Sequence, residues 1–147
     1  MIAAIGSVPY NIMLFLHIVS AMVGFAPIFV QPLLVGRANR DVMEAIAHKT
    51  LRIYGNAIIF SGFIGFGVAG LSDKVYRVRQ PWLIVAVIVW VAIVGCLHAG
   101  VIPAERAIAA AGERRDKAAE RKVQRFGTAV TVLFLVQIYL MVFKPGI

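Results

Sequence analysis

The chain has 147 residues, 61% of them hydrophobic and only 15% charged, with a mean hydropathy of +0.85. These values lie far outside those of soluble domains and specify an integral membrane protein with one membrane domain. A formal charge of +8 would suit a nucleic-acid binder, but the charges collect in short segments between apolar runs, where they set topology and meet lipid headgroups.

Four apolar stretches reach the roughly 20 residues needed to cross a bilayer. The first spans about Tyr10 to Val35, with Pro9 near its first turn and bends expected at Pro27 and Pro32. No Lys or Arg precedes it and no small-residue cleavage motif follows, so this helix is expected to stay. Gly36 to Arg52 reads as a polar connection in which Asp41 caps a short helix. The second span covers about Ile53 to Leu71. A loop then leads to Pro81 and Trp82, the tryptophan standing where an interface anchor belongs. The third span runs from Trp82 to about Ile102 and is expected to end near Pro103.

Ala104 to Arg125 is a basic segment, helical by composition, with Glu113–Lys117 at i,i+4 spacing and a turn near Gly112. It reads as a headgroup-attached helix or a docking surface for a protein partner. The fourth span covers Phe126 to Phe143. The sequence therefore predicts an all-α, antiparallel four-helix membrane bundle. Eleven of the fifteen Lys and Arg fall in the first and third loops and four on the other side, which places both termini outside the cytoplasm. Cys96 stands alone, which excludes an internal disulfide, and reads as a packing residue.

Lipid gives helices no hydrophobic reason to associate, so small residues must provide close packing. Ala57, Ser61, Gly65 and Ala69 recur every fourth residue in span two, flanked by Gly55, Gly62, Gly67 and Gly70; Ala92, Cys96 and Gly100 repeat the device in span three. Such a stripe is a helix-packing seam or a groove for a flat cofactor or lipid.

At 1.5 Å per residue, His17 and Gln137 lie at similar depth, roughly 10 Å below one surface, with Tyr139 slightly nearer it. His98 falls in a second layer with Gln31, Asn56 and Thr131. Roughly 14 Å of depth separates the two histidines, which argues against one haem ligated by both. His17 is read either as a neutral imidazole bonded to Gln137 or a backbone carbonyl, or as a haem-iron or other metal ligand with Ser20, Ala21 and Gly24 leaving room beside it. His98 reads as structural or as a second cofactor contact, and His48 as solvated. No hydrolase constellation is present, so no catalytic activity of the chain's own is expected. No span carries Asp, Glu, Lys or Arg in its middle, so a pump, ion-coupled transporter or voltage sensor would lack its charged relay.

His17-Ile18-Val19, Phe25-Ala26, Phe29 and Pro32 fall at the spacing seen in the first helix of small four-helix bacterial membrane proteins. The chain resembles membrane-bound protoporphyrinogen oxidase, the copper-resistance D-type proteins and the related DUF2269 type, the last also through Gly62-Phe63-Ile64-Gly65 and Pro81-Trp82. The resemblance implies a bacterial inner-membrane location and a haem b ligand role for His17. It departs from the oxidase in having no lysine in the third span and no basic residue after Pro32. The leading expectation is a haem-associated subunit or accessory of membrane redox machinery, with His17 as axial ligand beside Gln137 and Tyr139. The alternatives are a cofactor-free structural subunit of a homo-oligomer or larger complex, and a copper or small-metabolite permease. Four short helices are expected to enclose little volume.

Overall fold

Ser7 opens the first helix, its hydroxyl accepting the N–H of Tyr10 at 3.4 Å, and Pro9 follows where no backbone donor is needed. In the computed structural model, which describes residues 4–35, 37, 40–111 and 114–146, this helix is α1 (Val8–Leu34), and it continues through both Pro27 and Pro32. The remaining elements are α2 (Arg40–Lys49), a π-helical turn (Thr50–Tyr54), α3 (Gly55–Gly70), α4 (Pro81–Gly95), a second π-helical turn (Cys96–Val101), α5 (Ile102–Ala110) and α6 (Lys117–Phe143). The π turns join their flanking helices without a break, so the chain forms four rods: Val8–Leu34, Asp41–Gly70, Pro81–Ala110 and Lys117–Phe143. All four are long and apolar enough to cross a membrane, and the described residues contain no strand.

Large apolar side chains such as Phe15, Met22, Phe60, Phe63, Ile88 and Phe143 point outward and are more than half exposed. A soluble monomer does not tolerate such a surface; a lipid-facing one requires it. The four-helix membrane bundle is thus the fold. Antiparallel rods bring the described ends of the chain to one end, called here the terminal end; the first and third connections form the basic end.

Two rods are longer at the basic end than their apolar runs suggest. Residues 40–52 are a continuation of the second rod rather than a separate connection. Met43, Ala47 and Thr50 recur at helical spacing and are buried, while Asp41, Glu44, His48 and Lys49 face outward. Asp41 sits inside the first turn of α2 and is not a cap. The third rod likewise passes Pro103 to reach Ala110. A proline ring collides with the carbonyl four residues earlier, and here the π turn ending at Val101 widens the backbone at that point. The basic segment is therefore two helix ends, with α6 beginning at Lys117 because Asp116 accepts the N–H groups of Ala118 and Ala119 at 3.0 and 2.9 Å. The turn near Gly112 and the Glu113–Lys117 pair lie outside the described residues.

Small residues set the packing. Gly24 lies against Ile58, Gly67 against Met13, Gly100 against the Phe126 ring and Gly127 against Pro32; a Cβ on any of them would collide with its neighbour. The first rod packs on α3, and α4 with its following π turn packs on α6. The second and third rods meet closely only at the basic end, through α2 and α5, whereas α3 and α4 touch little. That divergence opens the bundle toward the terminal end.

Candidate functional site

The divergence of α3 and α4 produces a cavity of about 630 Å³, within the range of small-molecule sites and contrary to the expectation of little enclosed volume. Its wall is overwhelmingly apolar. His17 of α1 and Gln137 of α6 both line it, as depth matching predicts, and they are joined by Ser61, Gly62, Gly65 and Trp90.

His17 is fixed by the second rod rather than by Gln137. Its Nδ1 lies 2.9 Å from the Ser61 carbonyl oxygen and 3.4 Å from the Ser61 hydroxyl. A carbonyl only accepts, so Nδ1 carries a proton, and Nε2 is the nitrogen left to offer a lone pair when the ring binds a metal. The ring lies against Gly65, where an added Cβ would sit 3.1 Å from Cε1 and 3.4 Å from Nδ1. Room beside the histidine thus comes from the glycines of α3. Of the three residues expected to supply it from α1, Ala21 lines the cavity, Gly24 is used up in packing on Ile58, and Ser20 donates back to the Leu16 and His17 carbonyls.

Gln137 presents a buried Oε1 with no hydrogen-bond partner among the described residues. An amide oxygen left without a hydrogen-bond partner in an apolar wall is costly. Tyr139 does not join the site. Two residues after Gln137 it has turned some 200° around α6, is 52% exposed, and packs on Phe143 with centroids 4.8 Å apart.

Trp90 forms one wall, donating Nε1–H to the Ile58 carbonyl at 3.0 Å and lying flat over Gly62. Phe25 and Phe134, stacked at 3.9 Å, close the floor together with Ile58 and Ile93. Toward the terminal end the lining becomes more polar, with Tyr10, Tyr76, Trp82 and Lys144 among its residues. Lys144 Nζ stands 5.0 Å from the Tyr76 ring centroid, a cation–π contact. Trp82 lines the cavity and is only 4% exposed, with Nε1 donating to Gln80 at 3.2 Å; it is a packed residue, not an outward interface anchor.

The second polar layer is only partly as expected. His98 stands away from the cavity, its ring against Gly55 with Nε2 3.4 Å from where a Cβ would be, and that nitrogen is buried without a partner among the described residues. Gly55 and Ser61 are about 9 Å apart along α3, so the two histidines cannot grip one ligand atom. Asn56 and Thr131 bond to carbonyls of their own rods. Gln31 instead donates to the Thr50 hydroxyl, which in turn donates to Glu105, and Glu105 is fully buried. Glu105 lies in the stretch that composition marks as a basic, headgroup-attached segment, yet Leu97, Val101 and Glu105 share one four-residue spacing and one buried face.

Among the described residues no group of three or more His, Cys, Asp or Glu converges as a metal site. Cys96 is a free, partly buried thiol opening the second π turn. No protein-family model, curated protein or solved structure matches the chain.

Proposed function

We propose that the chain is a small bacterial inner-membrane protein that holds a flat, largely apolar redox cofactor, haem b, in the cavity between α3 and α4, as a subunit or accessory of membrane redox machinery. The observation that carries this reading is the His17 Nδ1–H bond to the Ser61 carbonyl. That bond fixes the tautomer and orientation in the way an outer-shell acceptor does for a metal-ligating histidine, and leaves Nε2 as the electron-pair donor. The apolar walls suit a macrocycle, and Lys144 in the lining, some 10 Å along the rods from His17, suits its carboxylates. When bound, such a group would supply one-electron chemistry; the residues around it bind, orient and exclude water. The eleven-to-four distribution of basic residues supports placing the basic end in the cytoplasm and the terminal end outside.

Haem titration into the purified protein tests this. Wild type is expected to develop a Soret band saturating at one haem per chain. His17→Ala is expected to lose it, and His98→Ala, outside the cavity, to keep it. A wild-type protein that stays colourless with haem supplied overturns the proposal.

A further inference from the structure

The basic half of the bundle contains a second polar group that the cavity does not use. Glu105 is 0% exposed, Thr50 2% and Gln31 3%, and each comes from a different rod. Gln31 Nε2 donates to Thr50 Oγ1, and the Thr50 hydroxyl donates to Glu105 Oε1, both at 3.5 Å, beyond the usual range for either bond. Glu105 Oε2 is buried with no partner among the described residues, and the ion pair found among them, Arg115–Glu120, lies elsewhere. A carboxyl buried with no cation beside it carries its charge only at high cost, so either a proton or a bound cation neutralises it.

The donor set suits a cation. A carboxylate, a hydroxyl and an amide oxygen are hard ligands, which favour alkali or alkaline-earth ions over transition metals. The amide of Gln31 offers its oxygen after a simple flip of its two ends. A cation about 2.5 Å from both Thr50 Oγ1 and Glu105 Oε1, which are 3.5 Å apart, would sit within the roughly 2.3–2.6 Å of oxygen-bound cations of calcium size. A single negative charge matches a single positive one. Both π turns flank the cluster: Thr50 begins the first and Glu105 follows the second by four residues. Turns of this kind re-aim side chains and recur at functional sites.

We propose that Glu105, Thr50 and Gln31 form a binding site for a small monovalent cation, sodium or lithium, in the basic half of the bundle. It shares no residue with the haem reading and stands or falls separately.

Equilibrium binding of radioactive sodium to the detergent-purified full chain, in choline buffer, tests it. Wild type is expected to bind one sodium per chain, displaced by lithium and not by equal potassium. Glu105→Gln is expected to bind none, and Thr50→Val to bind at least about tenfold more weakly, the loss expected for one contact to a charged group. No sodium on wild type would mean that a proton alone neutralises Glu105, and overturns the proposal, as does binding that survives Glu105→Gln. Should that variant fail to elute as a folded species, unchanged sodium affinity in Thr50→Val overturns it equally.

Discussion

Gly65→Leu is expected to weaken haem binding by about 10–100-fold or more while leaving helix content unchanged, the range seen when an outer-shell support of a metal ligand is removed. A Cβ at position 65 already falls 3.1 Å from the His17 ring, tighter than ordinary contact, and leucine adds three more carbons on the same side. The imidazole must then swing off the Ser61 carbonyl, and with it goes the fixed tautomer. Gly65→Ala should lie between the two. Haem titration followed at the Soret maximum, with far-ultraviolet circular dichroism for the fold, separates loss of the site from loss of the bundle. Wild-type affinity in Gly65→Leu would mean that the ring does not depend on this glycine.

Trp90→Ala is expected to cost about 3–5 kcal/mol of stability, as large aromatic deletions in packed cores do. Where α3 and α4 diverge, Trp90 bridges them almost alone: it donates to the Ile58 carbonyl at 3.0 Å, covers Gly62, and meets Phe63 and Phe66 edge-on at 5.8 and 6.5 Å. Trp90→Phe should cost less, because the ring remains and the Ile58 carbonyl loses one donor, worth about 0.5–1.5 kcal/mol. Equilibrium unfolding in mixed micelles measures both. A loss below about 1 kcal/mol for Trp90→Ala would be that of an ordinary surface change and would contradict the bridging role.

The shared depth of His17 and Gln137, which both line the cavity, was legible in the sequence because antiparallel rods with a fixed rise convert residue counts into depth. What holds His17 was not, since its partner is a backbone carbonyl and every residue has one. Nor was the cavity: the same glycines of α3 read equally as a packing seam, and the structure uses Gly67 for packing and Gly65 for the histidine. Glu105 was not legible because it stands near the start of a segment whose composition is dominated by the arginines and lysines that follow it. The buried spacing of Leu97, Val101 and Glu105 was the available signal, and Pro103 between them obscured it. The two π turns leave no periodic trace, because one extra residue per turn shifts the apolar face partway along a rod.

The most direct test of the account is rescue of His17→Gly by free imidazole. If His17 Nε2 is the axial donor, the variant should lose the Soret band of the haem complex and regain it as imidazole fills the space left beside Gly65 and Ser61. A His17→Gly protein that retains the wild-type spectrum without imidazole would contradict the assignment.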